Sequence, residues 1–173
     1  LNTDLTVNSK CPGGTHVNGY GTMSVNCTNN NGSITPRIIK KDGIVSTINP
    51  TSVSGTVYTF DNLSPANYIV EYTIQSACTN KYYDTFDVKP YIYPALVESA
   101  VYQCNNNSFT VNAVVTGGIV PLVYEIIGSL PATPSIVAPA QTSPIFTINN
   151  GASYSQINLR AVDVCGNGTV NNA

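Results

Sequence analysis

A cysteine-anchored internal repeat is the feature that most limits how this chain can fold. A cysteine followed by an Asn-rich run occurs at Cys27 and again 77 residues later at Cys104. Each copy ends at a second cysteine, Cys78 or Cys165, after a segment in which apolar and polar residues alternate. Alternation with a period of two is typical of a strand with one buried face. The repeat therefore predicts two consecutive units of the same kind.

Within the second unit the pattern predicts short strands separated by turns. Phe109, Val111, Ala113 and Val115 alternate along one strand, and the pair Gly117-Gly118 follows as a turn. Four prolines fall between residues 128 and 144. Proline removes a ladder donor, so this segment is expected to be a long loop or an edge strand. The fold class expected is all-β, with immunoglobulin-like β-sandwich domains.

The boundary between the units is predicted near residue 90. Pro90 and Pro94 lie four residues apart in a segment between two strand patterns, and they stiffen it into an extended connector. The predicted domains are residues 1–90 and 91–173, two tandem immunoglobulin-like repeats. A short stiff connector favours a rod over a hinge around a cleft.

The charge content argues against several classes of partner. Charged residues make up only 9% of the chain and the net charge is -2, whereas an average soluble chain is about 25% charged. No basic footprint for nucleic acid is present, so nucleic acid is not expected as a partner. No run approaches the ~20 apolar residues that span a bilayer, so membrane insertion is not expected either.

Five cysteines without a CxxC pair, and a single histidine, favour disulfides over a zinc site. If each unit closes on itself, Cys27 pairs with Cys78 and Cys104 pairs with Cys165, while Cys11 is left unpaired. In this interpretation residues 1–14 are the end of a preceding repeat. The alternative makes residues 1–7 the first strand of the first domain and pairs Cys11 with Cys27. Disulfides predict an extracellular or cell-surface location.

The inventory of reactive groups predicts that the chain is not an enzyme. Cys11 and His16 are the one conceivable nucleophile and base pair, and no third residue to orient them can be assigned. The carboxylates are scattered and show no spacing typical of glycoside hydrolases or calcium loops. No catalytic residue, metal site or cofactor is expected.

Tyrosines near the connector form a candidate contact surface. Tyr82, Tyr83, Tyr91 and Tyr93 flank the predicted boundary, and tyrosine-rich surfaces bind sugars and proteins at low entropic cost. The alternative is that these rings only pack the junction and one strand face.

Several short motifs resemble a known repeat family. Gly117, Gly118, Pro121 and Tyr124 match a Gly-Gly-x-x-Pro-Tyr-x-Tyr turn and strand, with Leu122 in place of its first Tyr. The other matches are to Asn-Leu-x-x-Gly-x-Tyr and Val-x-Asp-x-x-Gly-Cys motifs, at Asn62, Leu63 and Tyr68 and at Asp163 and Cys165. These motifs resemble the Cys-containing immunoglobulin-like repeats of very large surface adhesins in gliding and related Bacteroidota, which the type IX secretion system exports.

The resemblance implies a non-enzymatic structural and adhesive segment of a large extracellular repeat protein, a cell-surface adhesin or filament. Neighbouring repeats of the same chain, surface glycans and other cell-surface proteins are the expected partners. The alternative function is a carbohydrate-binding module of a secreted multidomain protein, which the tyrosine and asparagine content permits.

Overall fold

The computed structural model describes residues 1–28, 32–104, 108–149 and 153–172, with backbone only for residues 98–104 and 172. Every regular element in these ranges is a β-strand. The all-β prediction is therefore confirmed. The chain divides into two compact units, unit 1 (Leu1–Tyr91) and unit 2 (Ile92–Ala173).

The described residues of unit 1 form eight strands in two antiparallel sheets. The strands are β1 (Asn2–Lys10), β2 (Tyr20–Thr28), β3 (Ser33–Lys41), β4 (Ile44–Ile48), β5 (Ser52–Ser54), β6 (Val57–Leu63), β7 (Ala66–Gln75) and β8 (Thr79–Val88). One sheet has the order β1-β2-β6-β5 and the other β4-β3-β7-β8.

Alternating side chains from both sheets form the core of unit 1. Strand β7 buries Tyr68, Val70 and Tyr72, and strand β2 of the other sheet buries Met23 and Val25. These residues belong to one apolar cluster, so the two sheets pack face to face as a sandwich. The alternation seen in the sequence of β7 is confirmed, because period two sends every second side chain inward.

In the described part of unit 2, seven strands form two antiparallel sheets. The strands are β9 (Ala95–Cys104), β10 (Ser108–Thr116), β11 (Val123–Leu130), β12 (Ala138–Gln141), β13 (Ile145–Ile148), β14 (Gln156–Val162) and β15 (Gly168–Asn172). The sheets have the orders β13-β10-β9 and β12-β11-β14-β15. Val111 and Ala113 of β10 are buried with Phe146, Ile126 and Leu159 in a core that draws on both sheets.

The two units share one strand order. When β1 is matched with β9 and β2 with β10, every later neighbour relation also matches, except that unit 2 has no counterpart of β5 among the described residues. In immunoglobulin letters, unit 1 has sheets A-B-E-D and C-F-G, with β4 added beside the C strand. The fold is thus an immunoglobulin-like β-sandwich.

This correspondence corrects the register of the repeat. Cys27 lies near the end of β2, the second strand of its unit, whereas Cys104 ends β9, the first strand of its unit. The two Cys-Asn segments are therefore not equivalent positions. The later parts of the repeat do correspond, because Phe60 on β6 and Phe146 on β13 are both buried on matching strands.

The chain passes from one sheet of unit 1 to the other at a tyrosine corner. Tyr68, near the start of β7, donates its hydroxyl to the carbonyl of Ser64, four residues earlier, at 2.7 Å. Its ring stacks on Phe86 with centroids 5.2 Å apart. A tyrosine that bonds back to the chain at this corner is a hallmark of immunoglobulin-like domains. The Asn-Leu-x-x-x-x-Tyr motif noted in the sequence is this corner.

The proline-rich segment of unit 2 is a loop followed by an edge strand. Pro139 lies in β12, which is at the edge of its sheet, as expected for a residue that cannot donate to a ladder. The loop sends Ile136 into the core. Buried Ser129 holds both ends of the loop, since it donates to the carbonyl of Pro131 and accepts from the amide of Ile136.

Across the described ranges, no helix has the length and hydropathy needed to cross a bilayer.

Tyr68 and Tyr72 form a matched pair for a stability test. Tyr72 is 0% exposed, and its hydroxyl makes no hydrogen bond of good geometry among the described groups, although the nearby Asp84 carboxylate adds to burial in raising its pKa. Tyr68→Phe should lower the free energy of unfolding by about 1 kcal/mol, because it removes a made hydrogen bond. Tyr72→Phe should leave stability unchanged or raise it, because it removes an unpaired buried hydroxyl.

Urea unfolding of both variants checks this expectation. A loss of stability in Tyr72→Phe that equals the loss in Tyr68→Phe would show that the Tyr72 hydroxyl is bonded in solution.

Candidate functional site

A buried carboxylate lies at the centre of the outer face of the β4-β3-β7-β8 sheet. Glu71 sits between Val70 and Tyr72 on β7, and both of these neighbours point into the core. Glu71 therefore points to the opposite side of the sheet, yet it is only 4% exposed. Its cross-strand partners are Arg37 on β3 and Tyr83 on β8, and side chains directly opposite one another share a face. The side chains of Arg37 and Tyr83 therefore cover Glu71.

Four side chains donate hydrogen bonds to this carboxylate. Arg37 Nη2 lies 3.2 Å from Oε1, and Thr73 Oγ1 lies 3.5 Å from the same atom. Lys81 Nζ lies 3.1 Å and the Tyr83 hydroxyl 3.2 Å from Oε2. Both carboxylate oxygens are thus bonded, as a buried charge requires.

These donors lower the pKa of Glu71 below its ordinary value. The hydrogen bond from Lys81 contributes most, and the charge of Lys81 and the bonds from Tyr83 and Arg37 add to it. Burial acts in the opposite direction and is outweighed. Glu71 is therefore ionised at neutral pH, and it holds two cations in place.

The surrounding face carries an excess of positive charge. Lys40 pairs in register with Ile69, and so lies on the same side of the sheet as Glu71. With Arg37 and Lys81 this gives three cations on the face of the sheet that carries Glu71, while the carboxylates of Asp42 and Asp87 lie at one end of that face, where both bond Asn67. Asp87, farther along β8, is already paired with Lys89 at 2.8 Å.

Tyr83 adds an aromatic surface to this charged face. Its side chain is 55% exposed while its hydroxyl is fixed on Glu71. Tyr82 is 47% exposed, but it follows the core-facing parity of β8 and so points to the other side of the strand. The arrangement suits an anionic ligand that also offers a flat apolar surface, because cations and an oriented ring lie side by side. We name the set Arg37, Lys40, Glu71, Lys81 and Tyr83 the Glu71 face.

The four predicted contact tyrosines do not belong to one strand face. Tyr82 and Tyr83 are adjacent on β8 and point to opposite sides. Tyr91 is the last residue of unit 1, and its amide donates to the carbonyl of Asn18 at 2.8 Å. Tyr93 belongs to unit 2 and is exposed. Their joint action as a contact surface stays a prediction.

The predicted cysteine pairing is wrong for unit 1. Cys27 and Cys78 are free thiols. Cys27 points into the core from β2, whereas Cys78 is exposed in the turn between β7 and β8.

Cys11 and Cys165 are disulfide-bonded. The prediction that Cys11 is unpaired is therefore wrong, and so is the alternative that pairs it with Cys27, a free thiol. The participation of Cys165 in a disulfide is as predicted. The side chain of Cys104 lies outside the described residues, and so does the prediction that Cys104 pairs with Cys165.

The other residues considered for catalysis, Cys11 and His16, take part in structural contacts. Because Cys11 is disulfide-bonded, it offers no thiol for the imagined pair with His16. His16 closes a tight turn with Gly13, and its ring lies 4.7 Å from that of Tyr20. Where the chain is described, no group of three or more acidic, His or Cys side chains is placed to hold a metal ion.

Asp163, noted in the sequence as part of a family motif, shapes the turn that carries Cys165. Its Oδ1 accepts the amides of Cys165 and Asn167 at 2.9 and 3.0 Å. Its Oδ2 accepts the amide of Ile119 at 3.1 Å, which ties this turn to the loop after β10. Gly118 lies so close that an added Cβ would be 3.1 Å from the Cβ of Asp163. The motif residues therefore hold the turn that carries Cys165 and the loop after β10 together.

Comparison with known proteins finds no protein-family model and no curated protein that matches this chain.

Sequence reasoning alone did not assemble the Glu71 face. Glu71 was counted among scattered carboxylates, and Arg37 and Lys81 carried no motif. These residues are 34 and 10 positions from Glu71, and only the strand register brings them together. Glu71 is an acidic residue in an otherwise alternating apolar strand, which was the one available signal.

The lowered pKa of Glu71 predicts a pH dependence of stability. A carboxyl group whose folded pKa is depressed stabilises the fold fully above its unfolded pKa, and this contribution is lost as pH falls through the folded pKa. Wild-type stability should therefore fall as pH drops below about 4.5, the ordinary pKa of glutamate. Glu71→Gln should cost about 1 to 3 kcal/mol at pH 7, and the cost should decrease as the pH is lowered through the folded pKa of Glu71.

Urea unfolding of wild type and variant between pH 3 and pH 7 measures the difference. Asp61 and Asp87 also have lowered pKa values, so the wild-type curve alone is not diagnostic. A difference that stays constant with pH would contradict the charge-based role of Glu71.

The free thiols of Cys27 and Cys78 should differ strongly in reactivity. Burial, and then the Asp84 carboxylate, raise the pKa of Cys27 to about 11, so at pH 8 only about one thiol in a thousand is the reactive thiolate. Native alkylation followed by mass spectrometry should label Cys78 quickly, and Cys27 only after unfolding. Rapid native labelling of Cys27 would contradict its burial.

Proposed function

We propose that this chain is a non-enzymatic structural and adhesive segment of a large extracellular repeat protein. The observation that carries the proposal is the recurrence of one strand order in two consecutive units. Successive units of one fold are the way repeat proteins build length. The proposal places the chain on a cell surface, in an adhesin or filament of the kind that type IX secretion exports in gliding Bacteroidota.

The disulfide-bonded cysteines support an extracellular location. Cys11 and Cys165 carry disulfides, and disulfides persist in oxidising compartments and are rare in the cytosol. Small sandwich domains with limited cores gain stability from such cross-links. A segment that bears load outside the cell benefits from both properties.

The Glu71 face supports the adhesive part of the proposal. It presents cations and an aromatic ring on the outer side of a sheet whose other side is the core. Neighbouring repeats, surface glycans and other cell-surface proteins are the partners proposed for the segment.

Pulling the chain by its two ends tests the structural role. Once its disulfides are reduced, a load-bearing segment should resist until the sandwiches unfold in separate steps. A fully extended chain of this length would span about 600 Å. Without reductant the extension should fall short of this value, because disulfide-closed loops cannot lengthen, and reduction should release the hidden length.

Cys78→Ser is the matched control for the pulling experiment, because it removes a free thiol and no cross-link. Its extension should equal that of the wild type. Extension of the reduced chain at negligible force would overturn the structural role.

The alternative function is a carbohydrate-binding module of a secreted multidomain protein. The exposed rings of Tyr82, Tyr83 and Tyr93 favour it, because planar rings stack on sugars. A module of this kind would bind neutral glycans with little dependence on salt, and it would need no mechanical strength.

A further inference from the structure

We infer that the Glu71 face binds an acidic polysaccharide built from uronic acids, with the sugar carboxylate held by Arg37 and Lys81 and the sugar ring against Tyr83. This inference deepens the adhesive role proposed above and rests on it. The ligand proposed has one chemistry, a carboxylate on a sugar ring with one apolar face.

Charge complementarity is the first support. The whole chain has a net charge of -2, yet the Glu71 face gathers three of its seven basic residues. The one acid among them is 4% exposed and bonded through both oxygens. An approaching ligand therefore meets the cations and not the carboxylate, and a local positive potential attracts anions.

The second support is that Arg37 and Lys81 keep hydrogen-bond donors that Glu71 does not use. Arg37 contacts Glu71 through Nη2, and a guanidinium has five N–H donors. Its side chain is 44% exposed and that of Lys81 is 49% exposed. Both cations are held in position on their inner side and open on their outer side. The planar fork of arginine matches a carboxylate in a bidentate way.

The fixed ring of Tyr83 is the third support. Its hydroxyl bond to Glu71 restricts the ring, so less rotational freedom is lost when a ligand packs against it. A pyranose has an apolar face of C–H groups that can pack on such a ring. The carboxylate of a uronate residue would thus contact the cations, and the sugar ring of the same residue would contact the ring of Tyr83.

The equivalent sheet of unit 2 lacks this combination. There Arg160 on β14 pairs with Glu125 on β11 at 3.0 Å, and among the described side chains neither a second cation nor a tyrosine joins that pair. The partly exposed Glu125 neutralises its arginine. Arg160 is therefore a matched surface cation outside the proposed site.

The test is direct binding of the whole chain to three polymers: alginate, a uronate polymer; dextran sulfate; and neutral dextran. Alginate should bind, with an affinity that weakens as salt rises. Arg37→Gln and Lys81→Gln should each weaken alginate binding about tenfold, and Tyr83→Ala about fivefold. Arg160→Gln should stay within about twofold of wild type.

Lys40→Gln keeps the test decisive if the other variants are less stable. Lys40 makes no hydrogen bond to Glu71, so its loss should weaken alginate binding severalfold without affecting the melting temperature. Equal effects of Lys40→Gln and Arg160→Gln would overturn the assignment of the site. Tighter binding of dextran sulfate than of alginate, binding of neutral dextran, or binding of none would overturn the ligand class.

Failure of this inference is distinguishable from failure of the proposed function. A chain that binds no polymer but resists force as expected refutes the uronate site alone. A chain that extends at negligible force refutes the structural role, whatever it binds.

Discussion

Strand β7 is the element on which the rest of unit 1 depends, because its two faces perform different tasks. One face supplies Tyr68, Val70 and Tyr72 to the core that joins the two sheets. The other face supplies Glu71, which gathers side chains from β3 and β8. Period-two geometry links these tasks rigidly. A shift of one residue in the register of β7 would bury Glu71 in the core and expose the apolar side chains.

The cluster around Glu71 shows how a sheet surface can orient long, flexible side chains. A lysine or arginine on a surface normally loses considerable rotamer freedom when it binds a ligand. Here a buried acid has already restricted Arg37, Lys81 and Tyr83. The cost of holding an ionised carboxylate away from water is met by four donors. The result is a cationic face with defined geometry on a chain that has few charges.

The sequence predicted the fold class better than it predicted pairings between distant residues. The alternation before Cys78 and Cys165 is local and was interpreted correctly, as were the turn at Gly117-Gly118 and the edge position of Pro139. The cysteine register was wrong because a Cys-Asn segment recurs at the ends of different strands in the two units. Sequence spacing does not reveal which strand a cysteine closes, and the disulfide pattern depends on that.

The Glu71 face was missed for a related reason. Its members are ordinary surface residues when taken singly, and their relation exists only through cross-strand register. The tyrosine corner, by contrast, spans four residues from Ser64 to Tyr68, and a local motif marked it. Features built within one turn of chain were thus accessible to sequence reasoning, whereas features assembled across three strands were not.

The loop between β11 and β12 is fastened from within, by Ile136 in the core and by Ser129 at its base. Pro134 lies between these points, and its carbonyl accepts a hydrogen bond from the Tyr154 hydroxyl at 2.8 Å. Such a loop can change its outer residues while the sandwich keeps its packing, since exposed loop tips tolerate substitution and insertion. Changes in the outer residues of this loop would therefore alter the surface of the domain while leaving the side chains of its core in place.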